Sequence, residues 1–287
     1  MTQAHCVVVG SLHYDIVVSA PHRPAAGETV TGSAWRPVFG GKGGNQAAAI
    51  AATGMPCRMV SAVGNDDFGL FLRDGLRKAG VDDSYVATLP DTGSGMSVAI
   101  MDASGDYGAV IVSGANLAID PGALDDDPLW LNASHLVLQS EIPETMNIAA
   151  ARVARARGIS VVLNAAPARD ISDGFAGLID ILVVNAGEAQ ALCGVDVNSL
   201  SAAENAARML AQKFAIAVVT AGGDGVAVCG TDLTYSESGH QVDLISTHGA
   251  GDCFIGAMVA GLARGATMAQ AVGQANLAAA RHVSAKR

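Results

Sequence analysis

The sequence predicts an α/β protein: a mostly parallel sheet covered on both faces by helices, with a small second sheet beside it. Three observations lead there. Short apolar runs alternate with helix-like runs along most of the 287 residues, and such alternation implies parallel strands joined by helical crossovers. Many of the glycine-rich or polar breaks fall at the carboxyl ends of the strands, where open α/β sheets bind ligands. Half of the residues are hydrophobic and only 15% are charged, which supplies a substantial core. The length suits one large or two smaller domains.

Residues 6–9, followed by Gly10-Ser11, read as a buried strand meeting a loop. Residues 15–19 and then 28–31, continuing to Phe39, read as short strands exposed on one face, with turns at Pro21, Pro24 and Gly27. A helix is expected over 45–53, stopped by Gly54-Met55-Pro56. Residues 59–63 are the next buried strand, and a helix over 68–78 closes at Gly80. Residues 95–101 and 107–112, joined at Gly105-Asp106, read as a hairpin that completes a small sheet with the early strands. From Gly114 the alternation returns, with strands over 135–139, 159–164, 181–184 and 215–220 and helices over 143–157, 186–193 and 202–213. A turn at 222–225 leads into a hairpin strand over 226–229, residues 242–245 read as a further strand, and helices over 254–263 and 268–282 close the sequence.

The net charge of −10 argues against nucleic acid as the main partner, because phosphate backbones are bound by Lys/Arg surfaces. The five cysteines, at 6, 57, 193, 229 and 253, are odd in number, scattered and without metal-type spacing, which suggests reduced thiols in the cytoplasm. Residues 1–5 show no basic region leading into an apolar stretch, so no signal peptide is expected. No apolar run approaches the roughly 18 residues of a membrane span.

The stretch Ser246-Thr-His-Gly-Ala-Gly-Asp-Cys-Phe254 sits at a strand-to-helix turn, with Asp252 opening the helix. Unpartnered N–H groups and the helix dipole at such a turn can hold an anion. A carboxylate beside it makes sense if a negative group must be held next to a base. The alternative is a plain N-cap with glycines for the turn. Gly40-Gly-Lys-Gly-Gly-Asn-Gln46 also opens a helix. Its glycines let a ligand lie against the backbone, and Asn45 brings a donor and an acceptor suited to a polyhydroxyl ligand. It is not a Walker motif, since Lys42 is followed by Gly, and Gln46 stands where a dinucleotide fingerprint needs glycine. A tight turn with a solvated Lys42 is the alternative. Asp15 can accept from two vicinal hydroxyls or be solvated at a strand start, and His13 lacks a second ligand at metal spacing. Asn185-Ala-Gly-Glu188 can face a hydrated Mg²⁺ or form a capping box. Thr220-Ala-Gly-Gly-Asp-Gly225 offers a hydroxyl and bare amides, or a hairpin turn.

Together these residues resemble a known family. Residues 40–54 are similar to the first signature of the ribokinase-like (PfkB-type) sugar kinases and residues 247–261 to the second. Gly10-Ser-x-x-x-Asp15, Pro24-x-x-Gly27-Glu-Thr-Val-Thr-Gly32, Asn164-x-Ala-Pro-Ala-Arg169, Asn185-x-x-Glu188 and Thr220-x-Gly-x-x-Gly225 match in order over nearly the whole chain. The resemblance implies a three-layer α/β/α core (1–10, 38–90 and 114–287) with a small β lid (11–37 and 91–113). It implies transfer of the ATP γ-phosphoryl group to a sugar hydroxymethyl oxygen, on ribose or a related pentose. Asp252 is then the general base, kept ionised by its place at a helix start, and Gly249, Ala250 and Gly251 are the anion hole. Asp15, His13, Gly41, Lys42, Asn45 and Glu141 match sugar-contacting positions. Asn185, Thr220, Gly222, Gly225 and Asn276 match nucleotide positions, with Asn276 near the adenine, and Glu188 is linked to Mg²⁺ accompanying ATP.

Three departures stand out. His13-Tyr14 replaces the family's Asn-Ala, Ser246 replaces an aspartate in the monovalent-cation loop, and the sequence ends at Arg287, soon after its last helix. Weak or absent K⁺ activation is therefore expected. A nucleoside kinase is the alternative within the class, with His13 and Tyr14 stacking on or bonding to a base. Outside it stands a sugar-binding protein of poor turnover; an NAD-dependent oxidoreductase would need the missing glycine fingerprint. Exposed edges and apolar residues of the lid, such as Val17, Val98 and Ile100, make a homodimer through the lid a further expectation.

Overall fold

In a computed structural model of the chain, residues 4–102 and 107–285 are described. The strands are β1 (His5–Val9), β2 (His13–Ser19), β3 (Ala34–Gly40), β4 (Cys57–Gly64), β5 (Val86–Leu89), β6 (Met96–Met101), β7 (Tyr107–Val112), β8 (Ala133–Gln139), β9 (Ser160–Asn164), β10 (Ile181–Asn185), β11 (Ile216–Thr220), β12 (Val226–Gly230) and β13 (Leu233–Glu237). The helices are α1 (Lys42–Ala52), α2 (Asp67–Lys78), α3 (Asp127–Trp130), α4 (Glu144–Ala156), α5 (Asp173–Ala176), α6 (Ala186–Cys193), α7 (Leu200–Leu210), α8 (Ala250–Ala263) and α9 (Met268–Val283).

Nine strands form one sheet in the order β13-β12-β11-β10-β9-β8-β1-β4-β5, parallel except for β12 and β13 at one edge. Central strands such as β1 are buried along their whole length, because helices cover both faces. Val7 and Val9 pack into the layer of α4 to α7, while Cys6 and Val8 pack into the layer of α1, α2, α8 and α9. This is the three-layer α/β/α arrangement. A separate four-stranded sheet, β3-β2-β6-β7, stands beside it.

The helices carry their own start signals. Asp66 accepts the Gly69 N–H at the start of α2, whose last turn holds Arg77 and Lys78. Asn185 with Glu188 and Thr267 with Gln270 form capping boxes on α6 and α9. Among the described residues, no helix is long and apolar enough to cross a membrane.

Several expectations are corrected. Residues 28–31 and 242–245 are irregular rather than strands. Val242 (41% exposed), Leu244 (66%) and Ile245 (51%) lack a sheet to join, and the Ile245 and Ser246 N–H groups both donate to Val283 O at the end of α9. The short strands β5 and β13 were not foreseen. Tyr107–Val112 pairs antiparallel with β6 as a hairpin requires, but its expected turn at Gly105-Asp106 lies outside the described residues. Cys6 and Cys57, far apart in sequence, stand in register on β1 and β4. Burial pushes the Cys6 thiol up to about 11 and the Cys57 thiol well above its usual value, so both are unreactive.

Candidate active site

The residues singled out in the sequence meet at the carboxyl end of the parallel strands. Gly249, in the left-handed region at φ 74°, is the N-cap of α8. Asp252 is therefore the third residue of the helix and not its cap. A Cβ at Gly251 would point into open space. The Ala250 N–H donates to Thr247 O at 3.2 Å, so of the expected trio Gly249 and Gly251 keep amides uncommitted to a carbonyl among the described residues. His282, near the end of α9, bonds His248 O through Nε2 at 3.0 Å. A carbonyl only accepts, so Nε2 carries the proton. Because the peptide unit is planar, fixing the His248 oxygen also fixes the direction of the Gly249 N–H.

Asp252 is 9% exposed. Its Oδ1 accepts from Gln46 Nε2 at 2.9 Å and its Oδ2 from Asn45 Nδ2 at 3.3 Å. Burial raises its carboxyl above the usual range, opposed by the Lys42 cation and the Gln46 and Asn45 amides, with Glu141 adding to the rise. The helix start alone was expected to keep this group ionised; desolvation is the larger influence and acts the other way. The side chain nevertheless turns toward polar neighbours and not into the apolar layers.

On one flank lie β2, the start of α1 and the β8–α4 loop. A Cβ at Gly41 would lie 2.7 Å from His13 N, and one at Gly43 would lie 2.6 Å from Ser11 N, so only glycines let α1 begin against the β1–β2 link. Glu141 Oε2 accepts the Lys42 N–H at 2.8 Å and the Ser11 hydroxyl at 2.5 Å, and lies 3.8 Å from His13 Nδ1. His13 is buried, and its Nε2 has no partner among the described residues. Asp15 accepts from the Ser97 hydroxyl. Burial raises its carboxyl, opposed by Ser97, His13 and His248. A Cβ at Gly40 would fall 1.9 Å from Asp15 Oδ2. The structure thus brings Asp15, His13, Gly41, Lys42, Asn45 and Glu141 together around Asp252. Tyr14 does not join them. Its ring stacks on Phe68 at 4.0 Å and meets Phe71 edge-on at 4.8 Å, so it is not free to stack on a base.

On the other flank, Asn185 and Thr220 are in register at the ends of β10 and β11. The capping box is realised: Asn185 Oδ1 accepts the Glu188 N–H at 2.9 Å and Glu188 Oε2 accepts the Asn185 N–H at 2.8 Å. Burial raises the Glu188 carboxyl, opposed by the Asn185 N–H and Lys42, while Asp252 adds to the rise. The cap engages Oε2 and not Oε1. Among the described residues no group of three His, Cys, Asp or Glu could hold a metal unaided. Glu188 could offer one oxygen to a hydrated Mg²⁺, which takes few protein ligands and keeps several waters. Thr220 Oγ1 donates to Val184 O at 3.4 Å. Gly222 and Gly225 have φ of 57° and 117°, and a Cβ at Gly225 would meet Glu237 O at 2.0 Å. Asn276, expected near the adenine, donates its amide to Ser238 O at 3.0 Å and to Glu237 Oε1 at 3.4 Å, tying down the segment after β13.

Sequence reasoning missed Gln46 as a partner of Asp252. It shares the buried side of α1 with Ala47 and Ile50, and an amide on a helix's apolar face was the available signal. Asn116 was also missed. It is fully buried and clamps the Leu12 peptide with two bonds of 2.9 Å.

Residues 3–286 match the family model described as pfkB family carbohydrate kinase. The chain is 33% identical to a ribokinase of Haemophilus influenzae, over 97% of this chain and 92% of the relative. It is 32% identical to a deoxyribokinase of Salmonella typhi, over 87% and 82%. The structure of Arabidopsis thaliana ribokinase complexed with ribose and ATP superimposes with a TM-score of 0.91 at 28% identity, covering 100% of this chain and 94% of that one.

Proposed function

Because the chain belongs to the pfkB family of carbohydrate kinases, we propose that it transfers the γ-phosphoryl group of ATP to the hydroxymethyl oxygen of ribose or a related pentose. The observation that carries this reading is the seat of Asp252, between the Lys42–Asn45 flank and the first amides of α8. In the proposal, Asp15, His13, Lys42, Asn45 and Glu141 orient the sugar. Asp252 takes the hydroxyl proton as the oxygen attacks. The Gly249 and Gly251 amides and the helix dipole stabilise the charge on the transferring group, since phosphoryl transfer is chiefly positioning and neutralisation. Asn185, Thr220, Gly222 and Gly225 hold the nucleotide. Mg²⁺, when bound with ATP, neutralises phosphate charge, and Glu188 would hold it through Oε1. The four-stranded sheet serves as a lid that excludes water, without which ATP would be hydrolysed.

The engagement of the Tyr14 ring with Phe68 and Phe71 favours a sugar over a nucleoside acceptor. The Salmonella relative's name makes 2-deoxyribose the first competitor to ribose. The Ser246 hydroxyl accepts the His248 N–H at 3.3 Å and offers K⁺ no carboxylate, so K⁺ activation is expected to be weak. The reading places the protein in the cytoplasm, where thiols stay reduced. It also pairs two copies through the lid. An apolar groove of about 480 Å³, lined by Ile16, Val18 and Trp35 among others, and the exposed strand β7 would form the contact.

The deciding experiment is ADP release from ATP with ribose, 2-deoxyribose, other pentoses and nucleosides, with and without K⁺, for the wild type and Asp252→Asn. The expected result is turnover with a pentose, changed less than about two-fold by K⁺. In the variant, kcat should fall by about 10²–10⁴-fold with sugar binding kept. Tight sugar binding with no turnover would instead indicate a sensor.

A further inference from the structure

Behind Asp252 runs a chain of buried side-chain amides whose direction is set by the carboxylate. Gln46 and Gln139 are fully buried, and Asn164 is 6% exposed. Gln46 Nε2 donates to Asp252 Oδ1 at 2.9 Å and to Asn164 Oδ1 at 3.0 Å. Gln46 Oε1 accepts from Gln139 Nε2 at 2.9 Å, and Asn164 Nδ2 donates to Val183 O at 3.2 Å. A carboxylate can only accept, so Gln46 must present its NH₂ group to Asp252. Its oxygen then faces Gln139, which must present NH₂ in turn. The chain ends on Gln139 Oε1, a buried acceptor with no partner among the described residues. It lies against Gly10, where a Cβ would come within 1.9 Å of it. Neither glutamine can flip without setting acceptor against acceptor. Buried polar groups are normally satisfied, so the orphan oxygen is the cost of pointing donors toward Asp252.

We propose that Gln46 is a positioning residue for phosphoryl transfer: held by Gln139, it anchors Oδ1 of Asp252 and leaves Oδ2 as the oxygen that meets the substrate hydroxyl. Oδ2 has only the longer Asn45 contact, at 3.3 Å, which an arriving hydroxyl can displace or share. The inference rests on Asp252 acting as the base. Gln46 itself touches neither sugar nor nucleotide in this scheme.

The test measures steady-state kinetics, sugar and ATP binding by calorimetry, and melting temperature for Gln46→Met, Gln139→Met and the double variant. Methionine keeps volume and removes the donors. For Gln46→Met, kcat should fall by about 10–100-fold, as when a catalytic group is slightly misplaced, with KM for the sugar and both binding constants within about two-fold. Gln139→Met should give a smaller loss of the same kind. The double variant should match Gln46→Met alone, because the second glutamine acts only through the first. Wild-type kcat in a folded Gln46→Met would overturn the inference, as would additive losses in the double variant. If Gln46→Met fails to fold, Gln139→Met decides, and wild-type kcat there overturns it. A wild type that phosphorylates no sugar would instead defeat the kinase reading. An active wild type silenced by Asp252→Asn but indifferent to Gln46→Met would defeat this inference alone.

Discussion

Asp252 and Glu188 are buried carboxyls that share one cation, Lys42; burial raises both, Asp252 adds to the rise at Glu188, and Glu141 adds to the rise at Asp252. For Asp252 the folded-state value lies above the unfolded one. The stability it contributes is therefore complete below the unfolded value and lost as pH rises through the folded one. As pH rises above the unfolded value, this buried side chain weighs increasingly against the fold. Asp252→Asn should raise the melting temperature at pH 8, by about 2–4 °C for each kcal/mol relieved, and the gain should shrink toward pH 4; scanning calorimetry at the two pH values checks this. The same shift predicts that kcat/KM declines on acidification at a pH above the ordinary carboxylate range, since that ratio reports the free enzyme. The sequence made Asp252 legible through its glycines. Gln46 was harder to read, because the apolar face that marks it is weakly defined on an alanine-rich helix until packing selects a side.

At the scale of elements, the site depends on how closely α1 and α8 approach. Asn45 and Gln46 ride on α1 and Asp252 on α8. A Cβ at Gly256 would lie 2.5 Å from Ala49 Cβ and 2.7 Å from the Ala49 carbonyl carbon. Gly256→Val should force the helices apart, costing about 1–3 kcal/mol and lowering kcat as the amides are drawn off the carboxylate. Denaturant melts beside kinetics measure both. Most of the long elements were readable, since strand runs and helix stops follow local rules. Residues 242–245 misled because an apolar run resembles a strand, whereas a strand also needs a neighbour. The Ile245 and Ser246 N–H groups meet the end of α9 instead of a strand. Strand β13 was overlooked for the opposite reason. Its residues alternate between exposed and half-buried at the sheet edge, which mimics a loop.

For the whole molecule, the small sheet carries one cluster of exposed apolar side chains. Trp35 is 65% exposed, Val110 69% and Ile111 54%, with β7 as an open edge. Val17, Val98 and Ile100, the residues suggested by the sequence, are half-buried instead. Edge strands of this kind invite pairing, so if two copies pair as proposed, Val110→Lys should give a monomer in light scattering and a melting temperature that no longer rises with protein concentration. The layered core followed from alternation, but which residues of the small sheet face outward depended on register, which one sequence does not display. The parallel pairing of β2 with β6 carries one more consequence. The annex is stitched from two lengths of chain with α1, β4, α2 and β5 threaded between them, so it cannot zip up until that intervening portion has condensed. It should be the last part of the protein to assemble and the first to come undone, its amide protons trading with deuterium well before those of β1 and β8 to β11.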